Sequence, residues 1–239
     1  MKICFALLVD NKLHNYARKI AFDIDKKHNT GFIAAKLPQH VTLGEVIDID
    51  NLDEAEKYFD ILAKSINPFE IDVTKIDLKV FGDDNDGFGV LWMEVKESNL
   101  LRALHNRIYK EISAFPWRAD RTSGDGIYYF HSTIALGQQP AKIYKEAYNN
   151  IENKELSYTF QVKEISLFCS PDDENKMGTY ITYKTLPLGE KPWFYNAFKE
   201  IFTLWIPFLD FRDSWQKIFK AVHDCVTEAS IVYDDKVEL

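Results

Sequence analysis

"LPQHVTLGEV", residues 37–46, sets a histidine and a threonine two positions apart in an apolar frame. "YYFHSTIALG", residues 128–137, does the same, its histidine falling 91 residues after the first (His40 to His131). Side chains at i and i+2 of a strand share a face. In extended chain, His40 and Thr42 therefore point one way and Val41 and Leu43 the other, while His131 and Thr133 oppose Ile134. Each copy presents an imidazole beside a hydroxyl and buries its aliphatic residues. One histidine in a strand is most often a packing or surface residue, and short patterns match by chance. The repetition carries the reading.

Matching elements surround the two motifs. "ICFALLV" (3–9) reads as a buried strand. "NKLHNYARKIAFDIDKKH" (11–28) has helical spacing, with Leu13, Tyr16, Ala17, Ile20, Ala21 and Ile24 on one face. "NLDEAEKYFDILAKSI" (51–66) is a second amphipathic helix, acidic in its first turns where the helix dipole favours anions. "FEIDVTKIDLKVF" (69–81) and "FGVLWMEV" (88–95) are the strands of a hairpin closed by "GDDNDG". Past them, "NLLRALHNRIYKEISAF" (99–115) is a helix, "YYFHSTIAL" (128–136) a strand, and "PAKIYKEAYNNIENK" (140–154) a helix opened by Pro140. "YTFQVKEISLFCS" and "GTYITYKTLPL" read as two strands around the turn "PDDENKMG". Each half thus runs from a His-x-Thr strand through a helix to a hairpin. The pattern predicts an α+β fold of two pseudo-twofold lobes, with antiparallel sheets lining a cleft and helices outside. Clefts are where ligands bind.

After Leu188 the texture changes. "PWFYNAFKEIFTLWIPFLDF" is aromatic and helical in spacing, apart from Pro207. We place a two-lobed domain at 1–190 and a helical C-terminal extension at 191–239. An apolar stripe of this kind packs on the body or at a homo-oligomer interface. Its acidic residues and lack of a basic cluster argue against a membrane surface.

Among 239 residues, 46% are hydrophobic and 28% charged, a globular composition. The net charge of −8 argues against long nucleic acid held on a basic surface. No run is long and apolar enough to span a membrane. Cys4, Cys169 and Cys225 are dispersed, the histidines do not cluster as ligands, and neither a metal nor a cofactor is expected. A reducing cytoplasm is the default compartment.

Two imidazoles across a cleft suit acid–base chemistry at a phosphodiester. One takes a proton from the attacking oxygen and the other gives one to the leaving oxygen, within reach of an ordinary histidine pKa of about 6.5. The threonine hydroxyls can donate to non-bridging phosphate oxygens. On "HVTL", "HSTI" and the "VFG…GVLWMEV" hairpin between them, residues 1–188 resemble the two-histidine (2H) phosphoesterase superfamily, which includes 2′-5′ RNA ligase-like proteins and cyclic phosphodiesterases. That resemblance implies a bilobal fold with His40, Thr42, His131 and Thr133 as the catalytic set. It also implies hydrolysis of a 2′,3′-cyclic phosphate, a 2′-5′ linkage or a cyclic oligonucleotide, on a small nucleotide or RNA-end substrate. RNA-end processing by 2′-5′ ligation, and a nucleotide-binding module without turnover, are the alternatives. The sequence departs from many relatives in having Phe130 before the second histidine and no arginine soon after it. Lys36, Arg118, Arg121 and Lys142 are the cations nearest the motifs in sequence, and surface ion pairs are the expectation for them. Arg118 and Arg121 are also candidate substrate contacts. Trp117, Tyr128 and Tyr129 are candidates for stacking on a base. His14, His28, His105 and His223 are given structural roles.

Overall fold

The computed structural model describes residues 1–114, 128–171 and 178–189, all within the unit Met1–Glu190. The extension at 191–239 lies outside the described residues.

Strand β1 (Lys2–Leu8) is followed by helix α1 (Asn11–His28), a 3₁₀ turn (Ile33–Lys36), and strands β2 (His40–Thr42) and β3 (Ile47–Asp48). Helix α2 (Leu52–Ser65), strands β4 (Phe69–Phe81) and β5 (Phe88–Val95) and helix α3 (Asn99–Ser113) come next. Strand β6 (His131–Pro140), helix α4 (Ala141–Asn149) and strands β7 (Glu155–Val162), β8 (Glu164–Ser170) and β9 (Ile181–Pro187) complete the order. All strand pairings are antiparallel.

Local chemistry sets the boundaries. The Asp10 carboxylate caps α1 by accepting from Leu13 N at 2.8 Å. Lys26, Lys27 and His28 complement the dipole at its other end, and Asn29 closes it in the left-handed region at φ 52°. Asn51 caps α2 ahead of Asp53 and Glu54. The β4–β5 turn needs Gly82 at φ +79°, and a Cβ on Gly87 would lie 2.2 Å from the Phe81 carbonyl oxygen.

One sheet runs β2-β1-β8-β9, with β3 also on β1, and the other runs β6-β5-β4-β7. Apart from β3, the two sheets have the same four-strand layout, each carrying its His-x-Thr strand at an edge. They are not the two sequence halves. The first half's hairpin, β4–β5, pairs with the second motif. The chain's last strands, β8 and β9, join the first. The segment 158–170, which reads as one strand, divides at Lys163 between the sheets. Alternation on both sides of that lysine is equally strand-like, so the pattern alone does not register the change of sheet.

The core is continuous across both motifs: Val41, Leu43, Ile134, Leu91 and Ile76 are fully buried in one cluster. Among the described residues no helix is long and apolar enough to cross a membrane.

Candidate active site

The pairing register fixes the first motif with Leu8 opposite His40 and Ala6 opposite Thr42. The second has Glu94 opposite His131 and Trp92 opposite Thr133. The residues between and after them, Val41 and Leu43 in one motif and Ser132 and Ile134 in the other, are buried, whereas both histidines and both threonines are half-buried. This is the alternation that a strand imposes.

Both imidazoles are held the same way. His40 Nδ1 lies 2.7 Å from the Pro38 carbonyl oxygen, and His131 Nδ1 lies 2.8 Å from that of Tyr129. A carbonyl oxygen can only accept, so in each ring Nδ1 carries the hydrogen and Nε2 is left with the lone pair. The partner is two residues upstream in both cases. Ring packing fixes the planes: His40 meets Phe168 edge-on at 4.6 Å, and His131 lies against Trp92 at 4.5 Å. The His40 pKa is lowered to about 4, by burial first and to a smaller extent by His131, against the bond to Pro38. His131 is also lowered, by burial first and then by Lys79, against the bond to Tyr129. Both shifts favour the neutral imidazole. Neither threonine hydroxyl is committed to a partner among the described residues.

A cleft of about 240 Å³ opens here, lined by His40, Thr133, Lys36, Leu37, Cys4 and Tyr180, among others. Lys36 ends the 3₁₀ turn that delivers the chain into β2 and is exposed. It has no carboxylate partner among the described residues, contrary to the surface ion pair expected for it. Lys142 bonds Asn85 at the hairpin tip instead. Burial raises the Cys4 thiol to about 12, so it forms an inert wall of the cleft. Among the described residues no three of His, Cys, Asp and Glu converge as a metal-ligand set.

The two motifs are physically tied. Gln39, 2% exposed, donates from Nε2 to the Thr133 carbonyl oxygen at 2.9 Å and accepts from Ser132 Oγ at 2.7 Å. Ser132 is fully buried. A residue adjoining the first histidine thus grips both residues that follow the second. A second tie runs through Tyr128, whose hydroxyl donates to the Thr42 carbonyl oxygen at 2.8 Å. Its ring stacks on His105 at 4.5 Å, and His105 Nδ1 bonds the Leu43 carbonyl oxygen at 2.8 Å. Tyr128 therefore braces the first motif, with one ring face occupied. Phe130 is buried, and Tyr129 is the exposed aromatic of the three, at 59%. Trp117, Arg118 and Arg121 lie outside the described residues. The Gln39 tie was not legible in sequence: its partners lie over 90 positions away, and a lone Gln carries no pattern.

The model of the 2′-5′ RNA ligase superfamily matches residues 11–174. Solved structures are similar in fold. TT0787 of Thermus thermophilus aligns with a TM-score of 0.54 at 15% identity, over 80% of this chain and all of its own. E. coli LigT complexed with 3′-AMP gives 0.49 at 17% identity, over 79% of this chain and 98% of its own. Kluyveromyces marxianus Usb1 gives 0.41 at 15%, over 78% and 97%. No curated protein matches the chain. Of the four motif residues, His40 and Thr133 line the cleft, while His131 and Thr42 are not among its lining. With a His-x-Thr motif on an edge strand of each sheet and a family match across both, the chain belongs to the 2′-5′ RNA ligase superfamily of two-histidine phosphoesterases.

Proposed function

We propose that the chain is a metal-independent phosphodiesterase acting on a nucleotide phosphodiester: a 2′,3′-cyclic phosphate, a 2′-5′ linkage or a cyclic oligonucleotide. The observation that carries this reading is the matched tautomer of His40 and His131, each with Nδ1–H on a carbonyl and Nε2 free. Free Nε2 lone pairs are what proton transfer needs. His40, the more strongly depressed, acts as base and takes the proton of an attacking water. The new P–O bond forms as the bond to the ribose oxygen breaks, and that oxygen receives a proton from His131. Burial favours neutral His131 in the free protein, and a bound phosphate anion beside it raises its pKa and charges it for this role. Afterwards His40 holds the extra proton and His131 lacks one, and exchange with solvent restores both. Thr42 and Thr133 donate to the non-bridging oxygens, and Lys36 adds a positive charge at the cleft wall.

The test is incubation with cyclic mono-, di- and trinucleotides, 2′-5′ oligoadenylates and 2′,3′-cyclic phosphates in EDTA, read by mass spectrometry. Hydrolysis of at least one class in EDTA is expected. Binding without turnover would make the chain a nucleotide-binding module, and turnover restored only by a divalent ion would overturn the mechanism.

A further inference from the structure

The cleft, at about 240 Å³, is smaller than the roughly 300–1,000 Å³ that encloses a drug-sized ligand. A substrate longer than one nucleotide must extend beyond it. The surface next to His131 has the chemistry to receive that extension. Tyr129, 59% exposed, sits two residues before His131 and holds its Nδ1 hydrogen through its carbonyl. Phe81 and Phe88 are register partners at the end of the β4–β5 hairpin, stacked at 4.8 Å and each 39% exposed. Lys79 joins these features: its Nζ lies 5.0 Å from the Phe81 ring centroid and 5.7 Å from that of Tyr129, and its charge reaches His131. On β5, Trp92, Val90 and Phe88 alternate onto one face, so the strip runs from the ring packed on His131 to the hairpin end.

Hairpin stabilisation accounts for the Phe81–Phe88 pair, as cross-strand aromatic pairs do. It does not account for Tyr129, nor for Lys79. That lysine has no carboxylate partner among the described residues, although the neighbouring Lys75 is paired with Asp77 at 2.8 Å and Glu94 at 3.3 Å. Exposed aromatic rings beside a cation that no carboxylate neutralises are what a stacked base and its phosphate require, and the phosphate would draw Lys79 off the ring faces it now covers. We infer that Tyr129, Phe81, Phe88 and Lys79 form a subsite for a second nucleoside, so that the preferred substrate is an oligonucleotide whose scissile phosphate lies at the histidines. The inference rests on the phosphodiesterase reading for the position of that phosphate. The acidic hairpin tip, Asp83, Asp84 and Asp86, limits the strip to short strands.

Equilibrium binding to the full chain tests it, with deoxyadenosine 3′-phosphate and the deoxydiadenylate bearing the same 3′-phosphate as probes. Wild-type protein should bind the dinucleotide on the order of tenfold more tightly. Tyr129→Ser and Lys79→Gln, both at exposed positions, should each remove most of that ratio. Equal affinity for the two probes in wild type would overturn the subsite, and so would a ratio unchanged in both variants. A parallel turnover assay on linear and cyclic diadenylates identifies which form the strip serves. If no phosphodiester of the full panel is hydrolysed but the binding ratio and its loss persist, the hydrolase reading fails and the subsite stands.

Discussion

Replacing Gln39 by Leu removes the bridge between the motifs while keeping roughly the same volume. Gln39 donates to the Thr133 carbonyl at 2.9 Å and accepts from the Ser132 hydroxyl at 2.7 Å. Ser132 and Gln39 are both buried, so water does not readily take Gln39's place. Stranding a buried donor or acceptor costs about 1–3 kcal/mol. Two stranded groups give about 2–6 kcal/mol, a large share of the 5–15 kcal/mol that typically holds a domain together. The second substitution, Ser132→Ala, discriminates. Removing both partners of a hydrogen bond with apolar groups is nearly neutral. Gln39→Leu/Ser132→Ala should therefore recover about 1–3 kcal/mol relative to Gln39→Leu alone. Urea unfolding with an unchanged slope reads these differences directly. A Gln39→Leu protein within about 0.5 kcal/mol of wild type would refute the reasoning, as would a double variant whose loss is the sum of the singles.

Two further outcomes follow from the site. The His40 pKa is about 4 in the folded protein against about 6.5 unfolded, so the unfolded chain binds more protons between those values. Stability from this group is complete above pH 6.5 and is lost as pH falls toward 4, by at most about 3 kcal/mol. The urea midpoint of wild type should fall more between pH 7.5 and 4.5 than that of His40→Asn, and a smaller fall in wild type would contradict the assignment. Lys36→Ala should lower kcat/KM about tenfold, the scale of one charge-assisted contact discounted for exposure, with a shallower dependence on salt. An unchanged rate would leave Lys36 without a role at the phosphate.

Much of this was written in the local pattern. The strands at 69–81 and 88–95 and the helix at 11–28 stand where periodicity places them, because each alternates or repeats cleanly and is bounded by Asp10, Asn29, Gly82 and Gly87. The motif strands were legible for the same reason. The partnership of the sheets was not. β4–β5 pairs with the second motif, and the chain changes sheets at Lys163. These are long-range choices that hydrophobic alternation leaves undetermined. Aromatic roles also needed coordinates: of Tyr128, Tyr129 and Phe130, consecutive in sequence, one braces the Thr42 carbonyl, one is exposed and one is core. The imidazole tautomers depend on carbonyls two residues upstream, which any sequence would supply, so only geometry shows them.

The most direct measurement is turnover by His40→Ala, His131→Ala and the double variant, on whichever phosphodiester the wild type hydrolyses, with near-ultraviolet circular dichroism confirming the fold. Loss of one acid or base typically costs about 10²–10⁴-fold. Residues that act as a unit are non-additive, so the double variant should be little worse than either single. A folded single variant that retains near-wild-type kcat would contradict the paired-histidine account.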